Sequence, residues 1–460
     1  MRYSKSRQAR EVSSAAALRR RPGQIVTLGF LATIAVGTLL LSLPVAAEGE
    51  PATLVEALFT ATSATCVTGL IVTDTPVFWS AFGEAVIAVL IQIGGLGVMT
   101  LASLLGILLT RRLDLSSRLV AAASTRSVGL GDVRGVLTRV LKIAVLVEGA
   151  CALVLTARFL IAYDMPFGAA LWNGVFHAVS AYNNAGFALF SDSLIGFVGD
   201  PWVNLPISTA VILGGIGLPV IAEVLRALRA RRRPRRWSVH TRITLWMTAV
   251  LLVGATLFFL VAEWDNPATM GPLGVGEKIL AAFTQAVMPR TAGFNSLDTS
   301  QMHHETWLGT IILMFIGAGS AGTAGGIKVT TFAVLAVVIW SELRGEPDAN
   351  AFDRRISHGT QRQALTVALL GIAIIVVPTL WITASTPNIS VAEILFEVTS
   401  AFTTTGLSTG ITADLAWFNQ LLLVPLMFVG RLGPITLGTA LALRNRQRLY
   451  RMPESAPIIG

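Results

Sequence analysis

The chain has 460 residues, of which 53% are apolar and only 13% are charged. Soluble domains carry about a quarter charged residues, so this composition excludes an ordinary water-soluble enzyme and indicates a helical membrane protein. The two cysteines, Cys66 and Cys151, lie far apart and provide neither a disulfide framework nor a metal cluster. The net charge of +9 would suggest a nucleic-acid partner only if it formed a solvated patch.

Apolar windows long enough to cross a bilayer, for which about 20 residues are needed, recur along the whole chain. Only helices and closed barrels satisfy their backbone hydrogen bonds in lipid, and runs of this length are not strands. We therefore predict eight transmembrane helices. They cover residues 24–43, 79–110, 137–163, 202–228, 241–263, 307–341, 362–384 and 417–443.

The basic residues are distributed asymmetrically around these windows. Of the 35 Lys and Arg residues, 30 lie in five segments that an eight-span topology places on one side of the membrane. By the positive-inside rule, both termini are predicted to be cytoplasmic, and the net charge reflects orientation rather than nucleic-acid binding. The first apolar run precedes small residues at 45–47, as in a signal peptide. We predict no cleavage, because removal would leave seven spans and disturb the charge asymmetry.

A shorter semi-polar segment recurs four times between successive spans, at residues 53–73, 169–190, 276–297 and 390–411. In each copy one phenylalanine stands ten residues before one glycine, in the pairs Phe59/Gly69, Phe176/Gly186, Phe283/Gly293 and Phe396/Gly406. A serine stands six residues before the glycine in three copies, and Val287 replaces it in the third. A helix of ten or eleven residues is only about 16 Å long, so each segment is predicted to enter and leave on the same side.

The chain before each glycine is predicted to line one cavity on a pseudo-fourfold axis. Non-helical backbone at membrane depth is tolerated only where protein buries it or water wets it. Glycine tolerates positive φ, and a ring of carbonyls that replaces a hydration shell is the physical basis of a cation filter. Ordinary outer loops with glycine turns would not explain the register shared by four copies.

The third copy is distinguished by a glycine-rich run inside its second span. Residues 317–326 contain five glycines and cannot hold a good helix, so we predict a loop that breaks the span and obstructs the pore. The run matches GxGxxG, but no strand–helix–strand unit surrounds it. Lys328 and Arg431 are costly at membrane depth unless paired or wetted, and either could repel cations or hold the loop shut. The clusters at 94–97 and 214–217 predict close helix packing.

These residues resemble the TrkH/TrkG/KtrB/HKT superfamily of potassium transporters. The resemblance is carried by the four glycines, by RTAGF at 290–294 and by GSAGTAGGIKV at 319–329, and it covers about residues 24–443. TrkH-like members have two further spans before the first repeat, so the sequence is more similar to the KtrB-like branch. The predicted fold is an all-α integral membrane protein with four tandem helix–pore-loop–helix repeats. Its segments are a cytoplasmic N-terminus 1–23, repeat 1 at 24–110, a cytoplasmic linker and repeat 2 at 111–228, repeat 3 with a broken second helix at 229–341, repeat 4 at 342–443 and a tail 444–460.

The resemblance implies a K⁺ filter and a gate, with K⁺ held by filter carbonyls. The filter would comprise Thr65, Cys66, Val67, Thr68, Gly69, Asn183, Asn184, Ala185, Gly186, Arg290, Thr291, Ala292, Gly293, Thr403, Thr404, Thr405 and Gly406. The gate would comprise Gly317, Ala318, Gly319, Ser320, Ala321, Gly322, Thr323, Ala324, Gly325, Gly326, Lys328 and Arg431.

The resemblance also implies a homodimer on a cytoplasmic ring of KtrA-type RCK subunits, through which alone ATP or ADP would act. No covalent cofactor is expected, and Na⁺ is a possible second ion. The alternative is a Na⁺-selective or cation-coupled transporter of the same architecture.

An antiporter would need carboxylates in mid-span, and the candidates, Glu148 and Glu223, are predicted to lie near cytoplasmic helix ends. A membrane enzyme is disfavoured because the histidines show no HExxH spacing. His177 lies on the second short segment and is expected to support the filter rather than to bind metal.

Overall fold

The computed structural model describes residues 22–110, 133–230, 234 and 237–443. The predicted tail 444–460, most of the predicted N-terminus 1–23 and linker residues 111–132 lie outside this part of the chain. The described residues are almost entirely helical. One two-stranded hairpin, β1 (Asn350–Ala351) and β2 (Arg354–Arg355), interrupts the described helices about three quarters of the way along the chain.

Each of the four predicted repeats contains a first helix, a short helix and a last helix. The first helices are α1 (Pro22–Leu41), α4 (Val133–Ala162), α8 (Val239–Glu263) and α12 (His358–Ser385). The short helices are α2 (Leu54–Cys66), α5 (Phe167–Asn183), α9 (Val275–Val287) and α13 (Val391–Thr403). The last helices are α3 (Ala81–Thr110), the pair α6 (Pro201–Ile216) and α7 (Leu218–Arg229), the pair α10 (His304–Phe315) and α11 (Val329–Leu343), and α14 (Trp417–Leu443).

Several helices have the length and apolar character of membrane spans. Among the described residues these are Thr138–Ala162, Val239–Glu263 and His358–Ser385, with the bent pair α6 and α7 as a fourth candidate. Val26–Leu41, Ala81–Gly97 and Val329–Leu343 are shorter apolar helices. Large apolar side chains on α4 and α8 are exposed, as a surface facing lipid requires. The full count of eight spans stays a prediction.

The four short helices are longer than the sequence predicts. Three have 13 residues and α5 has 17, which corresponds to about 20–26 Å, because they begin well before the repeated phenylalanine. Capping boxes formed by Thr53 with Glu56 and by Ser390 with Glu393 start α2 and α13. Residues 59–66 and 396–403, the C-terminal parts of these two helices, are all buried. The short helices therefore form the centre of the protein.

The predicted span 202–228 is not one continuous helix, because the helix breaks at Gly217. The helices α6 and α7 meet at an angle of 99°. Gly217 has a φ of 97°, and Pro219 follows it without a backbone N–H to continue the hydrogen-bond ladder. Repeat 2 thus has a broken last helix, as repeat 3 does between α10 and α11.

Candidate functional site

The four repeated glycines lie beside one another in a closed ring, which we call the glycine ring (Gly69, Gly186, Gly293 and Gly406). A Cβ added to Gly69 would lie 3.1 Å from Gly186 Cα, and one added to Gly186 would lie 3.0 Å from Gly293 Cα. The corresponding distances are 3.1 Å from Gly293 to Gly406 and 3.0 Å from Gly406 back to Gly69. Each added Cβ would also meet the carbonyl oxygen that precedes the next glycine. The repeats therefore converge on one point in chain order.

The backbone at the glycine ring has one conformation in all four repeats. The glycines have φ between 72° and 93°, a region that disfavours other residues. The residue two positions earlier is also left-handed in every copy, namely Val67, Asn184, Thr291 and Thr404, with φ of 56°, 59°, 71° and 53°. These residues were placed in the filter from the sequence, but their left-handed conformation was not predicted, because three of them are β-branched and such residues rarely adopt it. The repeated turn brings carbonyls to the ring from four directions.

The repeated serine has a structural role that the sequence alone did not reveal. The hydroxyl of Ser63 accepts the Gly69 N–H at 3.1 Å and donates to the Leu70 carbonyl at 2.7 Å. Ser400 accepts the Gly406 N–H at the same distance. In the third copy, where Val287 replaces the serine, the Gly293 N–H bonds to the Met288 carbonyl instead. The serine hydroxyls hold two glycine N–H groups toward the short helices.

Several predicted filter residues direct their side chains away from the glycine ring. The buried Arg290 donates to Thr248 of α8 at 3.2 Å, and Asn183 donates to Gln92 of α3 at 2.8 Å. Cys66 packs in an apolar cluster with residues of α13. All three stand three positions before a ring glycine, so these positions serve packing between helices.

Glycines of the last helices allow those helices to touch the ends of the short helices. A Cβ on Gly94, Gly214 or Gly430 would collide with a backbone carbonyl four positions before the ring glycine of its own repeat. This observation confirms the close packing predicted for the clusters at 94–97 and 214–217. Gly317 of repeat 3 instead approaches the carbonyls of Gly325 and Ile327 within its own segment.

A cavity of about 450 Å³ opens on the side where the chain leaves the glycine ring. All four ring glycines line it, and so do Asp74, Asp192 and Asp298. No Lys or Arg is among the described residues of its wall. Carboxylates at a concave mouth raise the local concentration of cations. No group of three or more His, Cys, Asp or Glu side chains suited to a metal ion occurs in the described parts of the chain.

Residues 316–328, which we call the repeat-3 loop, form a non-helical segment between α10 and α11. Most of the loop is buried. Its backbone bonds to the broken helix of repeat 2, with Gly319 N–H to Gly215 O at 2.9 Å and Thr323 N–H to Gly214 O at 3.1 Å. The hydroxyl of Thr323 donates to Asn184 Oδ1 at 2.9 Å. A Cβ on Gly325 would collide with Thr404, so the loop lies directly against the turns of the glycine ring.

Both predicted basic residues contact the repeat-3 loop. Arg431 of α14 is 2% exposed, donates to the Thr323 carbonyl, and donates to the Gly94 carbonyl at 3.3 Å. Lys328 donates to the Ala324 carbonyl at 2.6 Å within the loop. Arg431 therefore connects repeats 1, 3 and 4 through carbonyl oxygens.

The predicted position of Glu148 is wrong, because this residue lies midway along α4. Its carboxylate accepts from Gln92 at 3.3 Å and from Asn183 at 3.2 Å. Glu223 accepts from Ser238 and Thr241 at the start of α8, which agrees with its predicted place at a helix end. A carboxylate at membrane depth is a candidate functional group.

Known proteins resemble this chain over almost its whole length. A family described as TrkH, cation transport protein, matches residues 11–448. The chain belongs to the TrkH family of cation transport proteins. As the family and the apolar helices indicate, it is a multi-pass membrane protein.

Named relatives and a solved structure agree with this family. The chain is 40% identical to the Ktr system potassium uptake protein B of Bacillus subtilis over 96% of this chain and 98% of that protein. It is 35% identical to the potassium/sodium uptake protein NtpJ of Enterococcus hirae over 96% of this chain and 98% of that protein. The crystal structure of the potassium transporter TrkH from Vibrio parahaemolyticus has the same fold, with a TM-score of 0.69 and 17% identity over 91% of this chain and 84% of that chain.

Proposed function

We propose that the chain takes up K⁺ through a selectivity filter formed by the carbonyls around the glycine ring. The observation that carries this proposal is the closed ring of four turns with one shared backbone conformation. Carbonyls converging from four sides can replace the hydration shell of a monovalent cation. The acidic cavity above the ring supplies cations to it. Two relatives, at 40% and 37% identity, are potassium uptake proteins by name.

The repeat-3 loop is the gate of this pore. It lies against the turns of the glycine ring, and Arg431 ties it to repeats 1 and 4. A loop held by backbone hydrogen bonds can be released without unfolding a helix. In this arrangement Arg431 stabilises the closed state, while Lys328 stabilises the shape of the loop.

A cytoplasmic partner controls the gate in this proposal. The chain acts as a homodimer on a ring of nucleotide-binding subunits, and ATP or ADP acts through those subunits. The support is the similarity to Ktr system proteins and the predicted basic cytoplasmic segments. The helix α11 continues directly from the repeat-3 loop toward the hairpin β1–β2, so a partner that moves this end would move the loop.

A cation-coupled or Na⁺-conducting transporter is the second candidate function. Glu148 favours it, because this mid-helix carboxylate bonds to Asn183 at the end of a short helix. A potassium/sodium uptake protein is also among the relatives.

Uptake by an uptake-deficient bacterium that expresses the chain, with and without a nucleotide-binding partner, tests the function. We expect growth on low K⁺, a weaker apparent K⁺ affinity with Gly69→Ser, and leak after deletion of residues 317–326. Gly49→Ser is the matched control, since Gly49 also has positive φ but no atom within 4 Å of an added Cβ. Membrane insertion without K⁺ uptake under any pairing, together with Na⁺ uptake, would favour the second candidate.

A further inference from the structure

The residues nine positions before the ring glycines alternate around the ring between threonine and an ionisable side chain. The residues are Thr60, His177, Thr284 and Glu397. Because the ring runs in chain order, repeats 2 and 4 lie on opposite sides of it. The two ionisable residues therefore belong to repeats on opposite sides of the axis, and the two threonines belong to the repeats on the other diagonal. All four side chains are at most 2% exposed.

His177 anchors the chain that leaves the glycine ring in repeat 2. Its Nε2 accepts the backbone N–H of Leu189 at 3.3 Å, three positions after Gly186. Its Nδ1 pairs with the Asn173 carbonyl at 2.8 Å, which requires the proton on Nδ1 and leaves Nε2 as the acceptor. The imidazole of His177 stacks on the phenyl group of Phe190, with 5.0 Å between the centroids of the two side-chain rings.

Glu397 has the same relation to the chain that leaves the ring in repeat 4. Its carboxylate accepts from Ser408 at 2.9 Å and from the hydroxyl of Thr412. The backbone amide of Thr409, three positions after Gly406, also interacts with it. No Lys or Arg pairs with this carboxylate among the described ion pairs.

In repeat 3, which lies on the other diagonal, the chain that leaves the glycine ring is held by a different contact. The hydroxyl of Thr284 has no hydrogen-bond partner in the described structure. In repeat 3 the outgoing chain is instead tied to the neighbouring repeat, since Asn295 accepts the Leu194 N–H at 2.8 Å through its carbonyl. The backbone leaving each glycine has no helical hydrogen bonds of its own, so its position depends on such side-chain or loop contacts.

We propose that His177 and Glu397 are positioning residues that set the ion selectivity of the glycine ring. They fix the outgoing chain on two opposite sides, and this chain determines where the adjacent ring carbonyls lie. Selectivity between monovalent cations depends on the placement of coordinating carbonyls. The inference rests on the proposed filter, but it concerns residues outside the predicted filter set.

Purified protein in proteoliposomes tests the inference by the ratio of K⁺ to Na⁺ uptake. His177→Leu and Glu397→Leu remove the acceptors, and we expect the ratio to fall about tenfold, the effect of one lost buried hydrogen bond. His177→Gln and Glu397→Gln retain an acceptor oxygen and are expected to restore the ratio to within about threefold. Thr284→Val, at the same register, is the control and is expected to leave the ratio unchanged.

Folded leucine variants with the wild-type ratio, or a Thr284→Val variant with the same loss, would overturn the inference. If the leucine variants do not insert, the double variant Ser408→Ala with Thr412→Val removes the donors to Glu397 from the other side. Its ratio is expected to fall as well, and an unchanged ratio would refute the role of Glu397. Wild-type protein that carries no K⁺ would refute the proposed function itself, which is a distinguishable result.

Discussion

Replacing Gly69 by alanine would add one methyl group to a close backbone contact between repeats 1 and 2. The new Cβ would collide with the Ala185 carbonyl and lie 3.1 Å from Gly186 Cα. The φ of 93° at Gly69 adds strain of about 1–3 kcal/mol for alanine. Because backbone surrounds the methyl group, the Ala185 carbonyl must move from its place at the ring.

Comparison with Gly49→Ala separates the effect of backbone strain from the effect of the steric collision. Gly49 has a φ of 99° in the same repeat, and no atom lies within 4 Å of an added Cβ. Both variants carry similar strain, but only Gly69→Ala displaces a carbonyl. A hydrogen bond to a charged group contributes about 1.5–3 kcal/mol. On that scale, the loss of one carbonyl contact to K⁺ corresponds to a rise in the K⁺ KM of about 10- to 150-fold.

Rubidium or potassium uptake by proteoliposomes measures this difference, with thermal unfolding of the purified protein as the check on folding. We expect both variants to lose thermal stability, Gly69→Ala more because of the collision, and we expect a raised KM for Gly69→Ala alone. Equal KM values for the two folded variants would show that the ring carbonyls do not coordinate the transported ion.

Three further predictions test other contacts of the site, and one of them includes a control substitution. Arg431→Ala removes the tie to the Thr323 carbonyl, so basal uptake without a partner is expected to rise at least about threefold; unchanged or lower basal uptake would contradict the closed-state role. Ser63→Ala leaves the Gly69 N–H without its acceptor and is expected to raise the K⁺ KM about fivefold or more. Ser180→Ala, whose hydroxyl has no partner in the described structure, should leave KM unchanged, and equal effects would argue against the serine anchor. Glu148→Gln is expected to preserve K⁺ uptake and to abolish any dependence on Na⁺, which initial rates with and without Na⁺ would measure.

The repeats and the convergence of the glycines could be predicted from the sequence because the same residue types recur at the same spacing in each repeat. The spacing of phenylalanine and glycine recurs four times, and the buried Phe59, Phe176 and Phe396 pack in the centre. The break within 307–341 was also predicted, since five glycines in ten residues disfavour a helix.

Other features depend on contacts between distant segments and were missed. Pro219 is a local sequence signal for the break at Gly217. The break was not predicted from it, because the apolar window 202–228 around it was long enough to predict one continuous helix. Glu148 was misplaced because the helix α4 begins at Val133, earlier than the predicted span at 137, and because its partners Gln92 and Asn183 lie in other helices. The left-handed residues such as Val67 have no sequence signal, since tertiary packing imposes their conformation.

The break at Gly217 has a consequence for how the gate opens. Pro219 has no N–H for the Gly215 carbonyl, and the repeat-3 loop supplies the missing donor through Gly319. In the gate proposed above, the loop would therefore close the pore by completing the hydrogen bonds of another helix. When it leaves, the freed carbonyls of Gly214 and Gly215 must find new donors, and in a dry membrane interior each would cost several kcal/mol. Under the proposed gating, water entering the pore would supply those donors, so we expect hydration of the pore and release of the loop to occur together and a partly open, dry state to be disfavoured.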